Sequence, residues 1–398
     1  MHAPGAAIED EGVGLRAGDV IALAVLAMLT LGMVMVHSAL FTTEPGESVR
    51  FESILLSRQT AYLALAIGAF YAVSLSPIAG ALAAPSRARW LVPCAALSTV
   101  ALLGVYVPGL ADPANNAHRW IKVPGVPLSF QPSEVTKWIV PLAVAWIGVR
   151  LGDRLATFRG VLGPLALLAV PVGIIVIEDL GTGVLIGAVG VLVLVAAGAR
   201  LVHLAAFAPV ALGALVGAVV MSPYRVRRLT TFLDPTADPE GAGYHILQSI
   251  SAITGGDIVG RGLGFGYRKF GYLPEDHTDF LFAVICEELG LAGALLTLSL
   301  YGAVIIAAAT ILRGTTAVLA KLAVLGILLT FALQAVMNLF VVTAMAPTKG
   351  IALPLMSAGG TGWVLTAASL GVVVAIDRWN RGAVPQVSVD TSAEEPDE

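Results

Sequence analysis

Long apolar runs separated by short polar segments dominate the sequence. An α-helix needs about 20 apolar residues to cross a bilayer, and the first run, from Asp19, reads DVIALAVLAMLTLGMVMVHSAL. This run is too long for the core of a signal peptide and has no small-x-small cleavage site, so it predicts a retained first helix. The full pattern predicts ten spans, at 19–40, 58–77, 90–110, 134–150, 160–178, 182–199, 201–221, 280–312, 316–345 and 352–378.

Composition points to the same fold class. Of 398 residues, 57% are hydrophobic and only 13% are charged, and the mean hydropathy is +0.86. We therefore predict an all-α, polytopic membrane domain over residues 19–381, flanked by a tail at 1–18 and a disordered tail at 382–398. The small net charge of −4 gives no indication of a nucleic-acid partner. Cys94 and Cys286 lie inside apolar runs and indicate neither a disulfide nor a metal site.

The distribution of Lys and Arg in short loops predicts the orientation. More of them fall on the side of the two termini, which predicts that both termini are cytoplasmic. The segment 222–278, between spans seven and eight, is then a large extracytoplasmic loop. No internal repeat is visible, which weighs against a transporter built from inverted repeats.

A cluster of titratable groups ends this loop. The stretch LPEDHTDFLF contains Glu275, Asp276, His277 and Asp279, and the chain becomes apolar directly afterwards. The cluster either marks a membrane boundary or forms an active site at the membrane surface. Asp279 comes last, so we expect it to lie deepest.

A second polar cluster, FQPSEVTK, precedes span four. Pro132 predicts a helix start there, and Glu134 and Lys137 then share one helix face at i,i+3 spacing. They form either a surface ion pair of little energetic worth or a cavity-facing pair, because ionisable groups inside a membrane are costly.

Further polar or broken segments fall on the same predicted side. Glu178 and Asp179 end span five, and the segment 346–363, which includes Lys349, contains prolines and glycines that break a helix. Broken backbone is tolerated in a membrane where it is buried in protein or lines a wet cavity. Glu287 and Glu288 lie about two turns into span eight, where a structural pairing role is at least as reasonable as catalysis.

The loop 222–278 contains two further features. The basic run Arg225, Arg227 and Arg228 could anchor lipid headgroups or bind an anionic lipid substrate, because guanidinium groups pair well with phosphate. The run GRGLGFG has no βαβ context, so turns are a better interpretation than a dinucleotide site.

Six motifs, in order, resemble the SEDS family of bacterial shape, elongation, division and sporulation proteins: FQPSEVTK, EDLGTG, RRLTTFLDP, DPEGAGYHILQS, LPEDHTDFLFAVICEELG and TKGIALPLMSAGGTG. The resemblance covers nearly the whole chain. It implies a ten-helix peptidoglycan glycosyltransferase that polymerises lipid II, with a class B penicillin-binding protein and other divisome proteins as partners. The motifs PTKGIALPLMS and GLGFGYRKFGYLPE are closer to the division type than to the elongation type. One departure is SAGGTG, where Ala358 replaces the family's aromatic residue and puts that loop's contacts in doubt.

The resemblance also implies site residues. Asp279 matches the family's essential aspartate and is the expected general base. A divalent cation, Mg²⁺ or Mn²⁺, could assist, although the sequence identifies no dedicated site for it. The family's QPSE glutamate and the lysine that follows it match Glu134 and Lys137, which are candidate substrate-binding residues. Apart from the resemblance, the further candidates are Arg119, Arg227, Arg228, His277, Lys349 and Ser357.

Two other classes of function stay open at this point. A lipid II flippase needs a polar path through the bilayer midplane, but span six, TGVLIGAVGVLVLVAAGA, has no charge. A scaffold that only recruits a penicillin-binding protein would not need the polar outer site. We expect a membrane enzyme at the division septum, with a role in cell elongation as the alternative within the family.

Overall fold

The structure, a computed structural model, describes residues 15–40, 52, 55–108, 111–114, 117–122, 129–239, 241, 243–267, 278–358 and 360–382. The outermost residues of both tails, and Glu275, Asp276 and His277 of the polar cluster, lie outside the described residues.

Helices occupy every predicted span. In chain order they are α1 (Ala17–Leu40), α2 (Arg58–Ser74), α3 (Ile78–Ala83), α4 (Leu91–Leu103), α5 (Pro132–Leu151), α6 (Phe158–Glu178), α7 (Leu180–Ala196), α8 (Leu201–Ala205), α9 (Ala208–Val220), α10 (Pro223–Leu233), α11 (Tyr244–Gly255), α12 (Leu281–Gly314), α13 (Val318–Val342) and α14 (Thr361–Gly382). Within the described part of the chain, 7 helical segments are long and apolar enough to cross a membrane, and α4 and α7 are shorter apolar helices. The predicted polytopic α-helical fold is confirmed.

Two predicted spans differ in detail. The last helix begins at Thr361 rather than at 352, because Leu355 (φ 63°) and Gly360 (φ 47°) adopt left-handed backbone that a helix cannot contain. The seventh span is divided into α8 and α9 by a turn at residues 206–207. Both differences arise from local backbone breaks inside apolar sequence, where hydropathy alone gives no signal.

A small antiparallel sheet, which the all-α prediction did not include, lies between α4 and α5. Its strands are β1 (Ala111–Ala114), β2 (Ala117–Lys122) and β3 (Ser129–Phe130), in the order β1-β2-β3. Ile121 of β2 pairs with Phe130, directly before α5. The sheet therefore fixes β2, with Arg119, beside the start of α5.

The bundle core is formed by tightly packed helices. Helix α14 packs against α2, and α1 packs against α12. At Gly371 of α14, a Cβ atom would lie 2.7 Å from the carbonyl oxygen of Phe70, so only glycine permits this approach of α14 to α2. Helix α9 differs from the others because none of its residues is buried.

The polar groups separate to the two ends of the bundle. One end, which we call the polar end, contains the C-termini of α6 and α13 and the N-termini of α5, α7 and α12. The opposite end contains the Arg381–Asp377 ion pair (2.5 Å) and the hydrogen bond from Trp146 Nε1 to the carbonyl of Pro85 (2.7 Å). The loop 222–278 emerges at the polar end, since it follows α9 and precedes α12.

Candidate functional site at the polar end

Asp279 lies two residues before α12 and is held through its backbone. Asn338 Nδ2 on α13 donates to the carbonyl oxygens of Asp279 (2.8 Å) and Ile351 (2.7 Å). A Cβ atom on Gly350 would lie 3.2 Å from Asp279 Oδ2 and 3.5 Å from Arg119 Nη1. The Asp279 carboxylate and the Arg119 guanidinium therefore both lie beside Gly350, where a side chain would crowd them.

Arg119 connects the sheet to the junction of α6 and α7. Its Nη2 donates to the carbonyl of Glu178 (2.8 Å), and its Nη1 lies 3.8 Å from Asp179 Oδ2. Asp179 also caps α7, because its carboxylate accepts hydrogen bonds from Thr182 N (3.0 Å) and Thr182 Oγ1 (2.9 Å). The Nε of Arg119 is buried without a hydrogen-bond partner among the described residues. Arg119 thus keeps one donor free at the site.

Two half-buried cations, Arg228 and Lys349, complete the cluster. Arg228 Nη1 donates to the carbonyl of Thr348 (2.9 Å), and its guanidinium lies 4.4 Å from the ring centre of Tyr224. Burial lowers the pKa of Arg228, and the charges of Asp279 and Asp179 oppose that effect. The cluster therefore places cationic and anionic groups together beside Asp279.

Lys349 belongs to the same electrostatic environment. Burial lowers the pKa of Lys349, and the nearby carboxylate of Asp179 opposes the decrease. Lys349 precedes Gly350, the glycine beside Asp279 and Arg119. The broken segment between α13 and α14 thus contributes a cation to the polar end.

Lys137 forms a buried ion pair, as its spacing from Glu134 predicts. Lys137 is 1% exposed, and its Nζ donates to Glu134 Oε2 (2.7 Å) and Gln334 Oε1 (2.8 Å). Glu134 in turn lies against α14, since a Cβ on Gly362 would be 3.4 Å from its Oε2. The pair is therefore largely buried near the N-terminus of α5, and its interpretation as a surface ion pair is wrong.

One face of α13 connects this pair to Asp279. Gln334 and Asn338 are one helical turn apart. Gln334 accepts from Lys137 and donates to the carbonyl of Ala352 (2.9 Å), and Asn338 binds the neighbouring carbonyl of Ile351 together with that of Asp279. Hydrogen bonds therefore join Lys137 to the Asp279 segment. That the two share one cavity stays a prediction.

The remaining predicted residues lie in different environments. Arg227 is exposed and pairs with Asp238, whereas Arg225 donates to carbonyls at the ends of α6 and α9. Ser357 is buried, and its Oγ accepts from Leu353 N (2.9 Å), so it stabilises the turn before α14. The basic run thus diverges, with only Arg228 directed to the Asp279 cluster. His277 lies outside the described residues.

The loop at Ala358 has contacts despite its departure from the family pattern. Ala358 packs against the hydrophobic core. A Cβ on Gly360 would lie 3.0 Å from the ring of Tyr62, whose hydroxyl donates to the carbonyl of Ser129 (3.2 Å). Tyr62 of α2 therefore places an aromatic ring against this loop.

Several contributors were not chosen from the sequence. Gln334 and Asn338 lie inside an apolar span, where polar side chains are costly and usually functional. Their spacing of four residues was a usable signal. Asp179 was recognised as polar but not selected, because its role depends on Arg119, which is distant in sequence.

A pocket opens beside this cluster. Its polar lining includes Tyr106, His118, Arg119, Glu178 and Asp179. The described residues contain no group of three or more His, Cys, Asp and Glu side chains that could hold a metal ion. Both oxygens of Asp179 already accept from Thr182. The described residues therefore identify no dedicated divalent-metal site, and we assign no step to a metal.

Comparisons with known proteins identify the family of the chain. The family model FTSW_RODA_SPOVE, described as "Cell cycle protein", matches residues 19–382. The chain is 34% identical to a probable peptidoglycan glycosyltransferase FtsW of Trichlorobacter lovleyi, over 90% of this chain and 92% of the relative. It is also 34% identical to stage V sporulation protein E of Bacillus subtilis, over 69% of this chain and 76% of the relative.

Solved structures have the same fold. A chain from a structure described as "Structural coordination of polymerization and crosslinking by a peptidoglycan synthase complex" matches with a TM-score of 0.69 and 26% identity, covering 90% of this chain and 97% of that one. Thermus thermophilus rod shape determining protein RodA matches with a TM-score of 0.60 and 24% identity, covering 92% and 98%, and this second likeness supports the fold alone. On the family match and on its curated relatives, the chain belongs to the membrane cell cycle protein family of FtsW, RodA and SpoVE.

Proposed function

We propose that this protein is a peptidoglycan glycosyltransferase that polymerises lipid II into glycan strands. The observation that carries the proposal is the carboxylate of Asp279 near the N-terminus of α12, where it and the Arg119 guanidinium both lie beside Gly350. A general base and phosphate-binding cations are the two groups that glycosyl transfer from a lipid diphosphate requires. The relatives named as probable glycosyltransferases support the same activity.

Asp279 is assigned the role of base. Its carboxylate removes the proton from the 4-hydroxyl of the acceptor sugar as that oxygen attacks the anomeric carbon of the donor. A new glycosidic C–O bond forms, the bond from the anomeric carbon to the diphosphate oxygen breaks, and undecaprenyl diphosphate leaves. A positioned base contributes about 10²–10⁴-fold to such a step.

The cations are assigned to the diphosphate. Arg119 and Arg228 supply positive charge near Asp279, and Lys349 supplies it near Asp179. The Nε of Arg119, which has no hydrogen-bond partner in the part of the chain that the structure describes, is a further donor in this cluster. Fixed cations stabilise the charge that develops on a leaving group without reorganising. A divalent cation stays a prediction and has no assigned step.

We also propose the cellular setting. The polar end faces outward, both termini are cytoplasmic, and the protein works at the division septum with a class B penicillin-binding protein and other divisome proteins. Support for the partner comes from the peptidoglycan synthase complex that contains a chain of this fold. Support for the orientation is the excess of Lys and Arg on the side of the termini.

The test is glycan synthesis by the purified protein in vesicles with labelled lipid II, with and without its cognate penicillin-binding protein. We expect glycan polymers in at least the reaction that contains the partner. Exchange of lipid II between leaflets without polymer would identify a flippase. Neither polymer nor exchange, with the partner present and active in crosslinking, would leave a scaffold and contradict the proposal.

A further inference from the structure

The helix that begins after Asp279 is divided by a glycine. Within α12, Gly290 has φ 62° and ψ −154°, a conformation open essentially to glycine alone. The segment from Leu281 to this break is therefore a short helix of its own, and Asp279 lies two residues before it. What fixes the far end of this short helix also fixes the direction of Asp279.

The glycine-rich loop, residues 256–267, binds the break through its backbone. The N–H groups of Arg261 and Gly262 donate to the carbonyls of Glu287 (2.9 Å) and Glu288 (3.0 Å), which the break leaves without helical partners. In return, Leu291 N donates to the carbonyl of Asp257 (3.1 Å). The loop thus replaces the missing hydrogen bonds of the helix.

Two buried glutamates hold the rest of the loop. Glu287 and Glu288 are each 1% exposed. Glu288 accepts from Gly264 N (3.0 Å), Gly266 N (3.4 Å) and Ser38 Oγ of α1 (2.6 Å). Glu287 accepts from Tyr267 N (2.9 Å). Buried carboxyl groups are costly unless their hydrogen bonds are satisfied, and here backbone N–H groups of a single loop supply many of them.

We propose that Glu287 and Glu288 are positioning residues that anchor the glycine-rich loop to the break in α12 and so hold Asp279 in its reactive orientation. They do not touch substrate. Asp279 lies at the other end of the short helix, where Asn338 binds its carbonyl. The positioning role rests on the glycosyl transfer proposed above, whereas the anchor can be measured without it.

The first experiment measures the anchor itself. In Glu288→Gln, the amide NH₂ replaces one carboxylate oxygen, so in either orientation it faces a backbone N–H that has lost its acceptor, that of Gly264 or that of Gly266. We expect hydrogen exchange in a peptide covering residues 261–267 to increase about tenfold or more, because local opening becomes easier. Asp257→Asn is the matched control: the side chain is exposed in the same loop, and Asn tolerates its φ of 51°. Unchanged exchange in Glu288→Gln would overturn the anchor.

The second experiment measures positioning. We expect Glu288→Gln to lower kcat for lipid II polymerisation about 10–100-fold with little change in the apparent KM, because a misplacement of about 1 Å can cost 10²-fold in rate. Asp257→Asn should keep the parent rate. Faster exchange with a parent-like kcat would retain the anchor and overturn the positioning role.

A disulfide between residues 266 and 288 can restore the anchor of the loop, so that one protein is compared with and without it. A Cβ on Gly266 would lie 3.1 Å from Glu288 Cγ, close to the separation of about 3 Å between a Cβ and the far sulfur of a disulfide. We would combine Gly266→Cys with Glu288→Cys on a background in which Cys94 and Cys286 are replaced by alanine. Diamide accepts the two electrons and two protons that the thiols lose, and dithiothreitol reverses the reaction.

The oxidised and reduced states then decide the proposal. We expect the reduced form to exchange fast and polymerise slowly, and the oxidised form to recover both slow exchange and a rate within about threefold of its background. Restored protection without restored kcat would overturn the positioning role. A background protein that never polymerises would instead contradict the proposed function, while the exchange measurements still decide the anchor.

Discussion

Replacing Lys137 by methionine removes the buried charge that joins α5 to α13. Lys137 Nζ contacts Glu134 Oε2 at 2.7 Å and Gln334 Oε1 at 2.8 Å, and the substitution leaves both oxygens without a donor. Removing one partner of a buried ion pair costs about 3–5 kcal/mol. The Glu134 side chain is 14% exposed, so water can solvate it partly, and we expect a loss of about 3 kcal/mol.

The double variant separates charge imbalance from loss of function. In Glu134→Gln/Lys137→Met no unpaired buried charge remains, and the new amide of residue 134 can donate a hydrogen bond to a neighbouring acceptor. We expect this variant to lie within about 1 kcal/mol of the parent, since replacing both partners of a buried pair is often nearly neutral. Unfolding in mixed micelles measures the free energy of each variant. Lys321→Met, an exposed lysine on the same helix as Gln334, is the control and should stay within about 0.5 kcal/mol.

Lipid II polymerisation by the folded fraction then tests the role of the pair. If Lys137 and Glu134 serve the site, both variants polymerise slowly, even where the double variant is stable. A double variant with parent-like stability and parent-like activity would return the pair to a structural role. A single variant as stable as the parent would refute the reasoning about a desolvated charge.

Three further predictions follow from single contacts. Asp179→Asn keeps the cap on α7 but removes the carboxylate that opposes the lowering of the Lys349 pKa by burial, so that pKa should fall further. Because Lys349 loses its charge as pH rises through its pKa, the alkaline limb of the activity profile should move to lower pH. An unmoved limb would exclude Lys349 as a required cation. Gly290→Ala would place a Cβ 2.4 Å from Gly260 N and should destabilise the protein by about 2 kcal/mol or more, whereas Gly302→Ala on the same helix meets nothing within 4 Å and should be neutral or stabilising; equal unfolding free energies would contradict the described break. Thr236→Cys should react with a membrane-impermeant maleimide in intact spheroplasts and Ser86→Cys, at the opposite end, only after lysis; the reverse pattern would invert the orientation.

Sequence periodicity predicts the helices well because bilayer thickness sets their length. The start of α5 at Pro132 and the pairing of Glu134 with Lys137 follow from local signals within one helical turn. The break at Gly290 does not follow, since a lone glycine in an apolar run has several interpretations. The break is recognised only in the structure, where the loop from Gly256 onward supplies the missing hydrogen bonds of the helix.

The site is harder to predict than the fold because its contacts are distant in sequence. Lys137 and Gln334 are 197 residues apart, and Arg119 and Glu178 are 59 apart. Hydropathy predicts at which end of the bundle each polar segment lies, but not which other segment it contacts. The sheet strands were missed because they are short and partly polar, as in AHRWIK, and two to six residues carry too little pattern to separate a strand from a loop.

The most direct measurement is the polymerisation rate of Asp279→Asn. The substitution keeps the size of the side chain and the backbone carbonyl that Asn338 binds, but it removes the proposed base. We predict a rate about 10²–10⁴-fold below the parent, with lipid II binding and association with the penicillin-binding protein retained. Asp234→Asn, an exposed aspartate of the loop 222–278, should polymerise at the parent rate. A well-folded Asp279→Asn protein that polymerises at nearly the parent rate would contradict the assignment of Asp279 as the base.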